Sequence, residues 1–231
     1  MSELLFQDAQ RMHKAGNFAE AARLYAEVLR LNPRQFDALY ALGFPRFQTA
    51  HYSEAERLIG QAIKINPRMA DAYFIQGCAL QRLNRIEDAL IAFNHAVANK
   101  PVFVEALINR GAAMLALNRY DEALKDFRAI IAINPASAGA WSNCGCVLQN
   151  LNRQEEALGC FERALAIDPD MTEALVNRGA ALSALKRYDD AARNCETLLG
   201  VNPDLVYGRG DLAFYRMQAC ARRRQSQACI L

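Results

Sequence analysis

Prolines punctuate the chain at a constant interval: Pro33, Pro67, Pro101, Pro135, Pro169 and Pro203 fall 34 positions apart, and only Pro45 of the seven lies off the series. Self-similarity at such a period is the mark of stacked structural repeats, and it constrains the fold more tightly than any local propensity. Two further series keep the same step. Gly43, Gly77, Gly111, Gly145 and Gly179 form one, with Ala9 in the first copy, and Ala21, Ala55, Ala89, Ala123, Ala157 and Ala191 form the other. The residue before the proline is Asn in four copies (Asn32, Asn66, Asn134, Asn202), Asp168 in one and Lys100 in one.

Counting from Ser2, Phe36, Ala70, Val104, Ala138 and Thr172 defines six units, 2–35, 36–69, 70–103, 104–137, 138–171 and 172–205. In the fifth unit Trp141, Cys144, Gly145 and Leu148 occupy slots 4, 7, 8 and 11, the i, i+3, i+4, i+7 stripe of an amphipathic helix A. A polar break follows at Asn152-Arg153, then Ala157, Phe161, Ala164 and Ile167 give the stripe of helix B. Helix B must stop before Pro169, because the ring lacks an N–H and restricts the residue ahead of it. Gly and Ala at fixed slots let the two helices approach closely, and Tyr25, Phe93, Phe127 and Phe161, with Ile59 and Cys195, fill the space beside them. A lone helical hairpin has no second surface on which to bury such a stripe, so neighbouring units must stack. The expected fold is an all-α solenoid of six antiparallel helix pairs.

The pattern resembles the tetratricopeptide repeat across residues 2–205, carried by Trp141, Gly145, Leu148, Ala157, Phe161, Ala164 and Pro169 and their equivalents in the other units. The resemblance implies a right-handed superhelix whose concave groove, lined mainly by A helices, receives extended peptides or partner helices.

At about 100° per residue, slots 2, 6, 9 and 13 cluster on the side of helix A opposite the core stripe. Slot 6 holds Asn109, Asn143 and Asn177. An Asn amide offers a donor and an acceptor side by side, complementary to a peptide bond, so a row of them can hold extended backbone whatever its side chains. The row resembles the asparagine ladder of O-linked N-acetylglucosamine transferases; the competing reading is a solvated polar slot. In the first three units slot 6 holds Gln7, Ala41 and Ile75, and slot 5 presents Phe6, Tyr40 and Phe74, with Phe44 and Phe47 nearby. These residues predict an apolar stretch of groove, with packing between adjacent A helices as the alternative.

Slot 5 carries no Lys, so the carboxylate clamp of chaperone-binding tetratricopeptide domains is not expected. Arg110 and Arg178 stand at slot 7, where Glu105 or Glu173 is the expected partner. Pro45 falls inside helix A of the second unit and predicts a kink, read as a tolerated defect. Residues 206–224 predict a capping helix covering the sixth unit through Leu212, Ala213 and Met217, and 225–231 a disordered tail that includes Cys229. The stretch from Tyr207 to Leu212, running on to Met217-Gln218-Ala219-Cys220, faintly resembles the segment that leads into the catalytic part of O-linked N-acetylglucosamine transferase-like proteins, yet only 11 residues follow Cys220, too few for two nucleotide-sugar lobes.

Lys and Arg total 27 against 25 Asp and Glu, interspersed along the chain, which argues against a nucleic-acid partner. The stretch from Met1 to His13 has no uninterrupted apolar run, so no signal peptide or membrane span is expected, and the location read from this is cytoplasmic. Seven scattered cysteines without a C-x-x-C pair read as reduced thiols. His13, His51 and His95 lie apart, so neither a metal nor a cofactor is expected, and no catalytic constellation assembles. Cys78 and Cys146, at slot 9, read as small groove residues and not as nucleophiles. The function read from the sequence is a scaffold that binds a protein or peptide in the A-helix groove. The alternatives are a detached substrate-recognition arm of an O-linked N-acetylglucosamine transferase-like enzyme and a self-associating chain, which would give a homodimer.

Overall fold

The computed structural model describes residues 2–205 and 208–228 of the protein. Among the described residues every regular element is helical. In the first of two compact units, residues 1–117, lie α1 (Ser2–Lys14), α2 (Phe18–Leu31), α3 (Phe36–Gln48), α4 (Tyr52–Ile65), α5 (Ala70–Arg82), α6 (Ile86–Asn99) and α7 (Val104–Ala116). In the second, 118–231, lie α8 (Tyr120–Ile133), α9 (Ala138–Asn150), α10 (Gln154–Ile167), α11 (Thr172–Ala184), α12 (Tyr188–Val201) and α13 (Gly208–Ala228). The odd-numbered helices α1 to α11 are the A helices, and each starts at the first residue of a sequence unit.

Glycine sets the spacing within three of the pairs, α3–α4, α5–α6 and α9–α10. A Cβ on Gly77 would stand 2.5 Å from Cε1 of Phe93, one on Gly145 2.5 Å from Cε1 of Phe161, and one on Gly43 2.7 Å from Cδ1 of Ile59. Those partners are themselves fully buried, so the ring or branched chain of helix B rests directly on the backbone of helix A. Slot 3 joins one pair to the next. Ala38 packs with Leu24, Tyr25 and Val28 of the preceding B helix, Ala72 with Ile59 and Ile63, Ala106 with Ala96, and Ala174 with Ala164 and Leu165.

The loops repeat as faithfully as the helices. Between A and B one residue adopts a left-handed conformation, at Gly16, Ala50, Asn84, Asn118, Asn152 and Lys186, all with φ between 57° and 78°. The amide after it reaches back five residues, as in His51 N–H to Arg46 O (2.8 Å) and Arg153 N–H to Leu148 O (2.8 Å), which closes a Schellman turn. After helix B the residue before proline explains itself: the side-chain oxygens of Asn32, Asn66, Asn134 and Asp168 accept the amide two positions on, at 3.1–3.3 Å. This Asx turn brackets the proline and hands the chain to the next A helix.

Four details depart from the sequence reading. Helix α3 is continuous through Pro45 from Phe36 to Gln48, and Thr49 N–H still reaches the Pro45 carbonyl at 2.9 Å. Arg178 donates from Nε to Asn194 Oδ1 (2.6 Å) and not to Glu173; Arg110 donates to Asn94 Oδ1 (3.2 Å). Helix α13 does pack on α12, but through Leu212, Tyr215 and Ala219; Ala213 is exposed and Met217 is 61% exposed. Arg216, with an ion pair to Glu196 at 2.7 Å, holds the same joint, and the helix continues past Arg224 to Ala228. The expectations for Tyr207 and for 229–231 fall outside the described residues.

Gly77→Ala is expected to destabilise the protein by about 1–3 kcal/mol in urea titration, because the overpacking against Phe93 outweighs the helix preference of Ala, about 1 kcal/mol. Ala50→Gly is expected to act in the opposite direction, raising stability by roughly 1 kcal/mol, since a left-handed Ala carries a steric cost that Gly lacks.

Candidate functional site

The A-helix face differs in character between the two units. In the first, Phe36, Tyr40 and Phe44 recur every fourth residue on α3, and their rings stack at 6.0 Å and 6.4 Å between centroids, tilted by only 17° and 6°. Phe36 was invisible to a slot-by-slot reading of the groove; its i, i+4 spacing to Tyr40 is the signal that finds it. Tyr40 and Phe44 face α1 across a pocket of about 330 Å³ whose other walls are Gln10, His13, Lys14, Tyr25, Ala41 and Pro45. Pro45 is thus a wall of the pocket and not only a defect. Its ring sits where a helix would otherwise place an N–H facing the Ala41 carbonyl. The pocket has an apolar body, with Lys14 on its rim. Burial, with the Asp71 charge adding to it, pushes the Tyr40 hydroxyl above its ordinary pKa, so the ring enters contacts as a neutral phenol.

The remaining apolar candidates do not line this surface equally. Phe6 (8% exposed) and Ile75 (5% exposed) belong to the core, which corrects the groove assignment for both. Phe6 packs beside Tyr25 at 5.9 Å, and Ile75 packs with Ile59, Ile63 and Ala72. Phe74 is half-buried and leans on Phe103 at 5.0 Å and Phe93 at 6.2 Å; Phe47 is half-buried against Tyr52 at 5.8 Å. Both join adjacent helices and leave only an edge accessible.

The polar candidates are all half-buried. Asn109, on α7 in the first unit, donates its amide to its own helix at Glu105 O (2.8 Å). In the second unit Asn143 lies on α9 and Asn177 on α11. Asn177 donates to Cys146 Sγ (3.2 Å), and its backbone carbonyl accepts from Gln149 Nε2 (3.0 Å), so α9 and α11 are laced together along this face. Gln149 is the member that sequence reasoning missed. The Asn143 amide has no hydrogen-bond partner among the described residues.

Two thiols share these faces. Burial pushes the Cys78 thiol up to about 11, and burial together with the Glu173 charge does the same for Cys146. A group in that range is almost wholly protonated near neutrality and is a poor nucleophile. Among the described residues no group of three or more His, Cys, Asp or Glu could hold a metal ion, and no helix is long and apolar enough to cross a membrane.

Tetratricopeptide-repeat family models match residues 12–73, 46–101, 76–138 and 138–171. No curated protein matches the chain. Among solved structures, the crystal structure of YrrB, described as a TPR protein with an unusual peptide-binding site, is 17% identical, with a TM-score of 0.72 over 82% of this chain and 97% of that one. MamA from Desulfovibrio magneticus RS-1 is 18% identical, with a TM-score of 0.70 over 74% and 97% of the two chains. A second MamA structure is 23% identical, with a TM-score of 0.65 over 70% and 94%. At these identities the likeness establishes the fold.

Alkylation of Cys78 and Cys146 by iodoacetamide is expected to rise with pH along curves centred near 11, about two units above the ordinary value of 9.0. Residue-resolved mass spectrometry of the folded chain measures this; a midpoint near 9 at either site would show that the thiol is not desolvated.

Proposed function

We propose that this chain, which belongs to the tetratricopeptide repeat family, is a protein-interaction scaffold that takes an extended peptide or a partner helix on its A-helix face. The observation that carries the reading is the pocket between α1 and α3, where Tyr40 and Phe44 stand beside Lys14. An apolar cleft of this size accepts one large aliphatic or aromatic side chain, and the ammonium on its rim favours an acidic neighbour in the same ligand. The Asn143 amide and the Asn177–Gln149 lacing support a second contribution, from amide groups to peptide backbone, in the second unit.

Selection from a displayed random-peptide library tests the proposal directly. The expected outcome is enrichment of peptides carrying a large apolar residue beside Asp or Glu. Phe44→Glu is expected to weaken them by roughly thirtyfold, the loss typical of a hot-spot residue, with helicity intact. The triple change of Asn109, Asn143 and Asn177 to Ala is expected to cost on the order of tenfold. Peptides that bind both variants as they bind the natural chain would overturn the proposal.

A further inference from the structure

We infer that the B-helix side of the first compact unit carries a second docking groove, between α2 and α4, which receives an acidic amphipathic helix of a partner protein. The groove has a volume of about 590 Å³. Ala19, Ala22, Ala26 and Leu29 of α2 form one wall, and Leu42 and Leu58 lie buried in its floor. Arg23, Arg46 and Arg57 stand along the rim with Glu54. The space arises from what the chain places at repeated positions. Four repeats further on, Leu158 and Glu162 stand at the places of Ala22 and Ala26, and the Arg178–Asn194 hydrogen bond of 2.6 Å bridges the places of Leu42 and Leu58. The corresponding groove there, between α10 and α12, encloses only about 220 Å³. The slot of Ala19 is acidic in the other repeats at Glu87, Asp121, Glu155 and Asp189.

The lining selects the occupant. An extended peptide brings backbone N–H and C=O groups that need partners, and Ala19, Ala22, Ala26 and Leu29 offer it only methyl and isobutyl groups. A helix satisfies its own backbone and needs only an apolar stripe to dock. The four residues follow i, i+3, i+7, i+10 spacing, a strip about 15 Å long that matches three turns of a partner helix, and the alanines let its axis come close. Three guanidinium groups against the one carboxylate of Glu54 favour acidic residues beside that stripe. Glu54 holds Arg46 at 3.1 Å and Glu20 holds Arg23 at 2.7 Å, both exposed pairs that an incoming carboxylate can share. Arg57 has no partner among the described residues. Leu42 and Arg46 stand about 200° around α3 from Tyr40 and Phe44, so this groove and the A-helix pocket can be filled at the same time.

The test is a selection of displayed helical peptides of about 14 residues, four turns, with varied apolar and charged positions. The target is the folded full-length chain carrying Phe44→Glu, which closes the A-helix pocket and so separates this inference from the function proposed above. The expected winners carry a stripe of Leu, Ile, Met or Phe flanked by Asp or Glu. In fluorescence anisotropy, one such synthetic peptide is expected to bind the natural chain and Phe44→Glu equally. It should lose roughly thirtyfold in affinity for Ala26→Glu and about tenfold for Arg57→Glu. Circular dichroism is expected to show both variants folded, because Glu162 and Glu196 already occupy the Ala26 slot in other repeats and Arg57 is exposed. Winners flanked by Lys or Arg, no helical winner at all, or affinity that survives Ala26→Glu would overturn the inference. A dimer in sedimentation that Ala26→Glu dissolves would give the groove to a second copy of this chain and overturn it as well.

Discussion

The contact on which the structure depends is the seat of a large B-helix side chain on the bare backbone of an A-helix glycine. At Gly77–Phe93 and Gly145–Phe161 no room exists for a methyl group. The alanines of slot 3 touch the preceding B helix, and the Schellman turn returns the chain to the contact through a short loop. Dispersion forces explain the economy: a ring pressed against backbone gains many close atom pairs, and a gap of even half an ångström would forfeit a good part of them.

A second consequence follows for the surfaces. Beside that seat the chain varies the residues it encloses from hairpin to hairpin. Leu42 and Leu58 share one core cluster in α3–α4, and Arg178 meets Asn194 in α11–α12. The hairpins share one frame and differ in the chemistry enclosed beside it. The outer face of the A helices varies in the same way, from stacked aromatic rings on α3 to amide groups on α9 and α11.

How much of this was legible in the sequence can be judged from particular residues. The phase was fully legible, because Pro, Gly and the residue before Pro are each demanded by backbone geometry and leave little freedom: the A helices begin at Ser2, Phe36, Ala70, Val104, Ala138 and Thr172, as the spacing predicts. The groove was legible only in part. Treating helix A as an isolated cylinder put Ile75 on the outer face, but Ile59 and Ile63 of the preceding helix extend over that flank and enclose it. Phe6 failed similarly, since Tyr25 lies across it. The covering face of α13 was misjudged by a residue or two, at Tyr215 in place of Met217, because no neighbouring copy fixes its rotation.

The regular start of every A helix carries an evolutionary consequence. Adding or losing a whole unit preserves the phase of all that follows, so such a chain can lengthen or shorten by recombination without relearning how to fold. A single inserted residue inside a helix has the reverse effect. It turns everything downstream within that helix by about 100°, carrying the glycine seat toward solvent and bringing the peptide-facing amides into the interior. Change in this lineage is therefore expected to arrive as substitutions at a fixed address or as whole paragraphs of sequence, and seldom as single-letter slips.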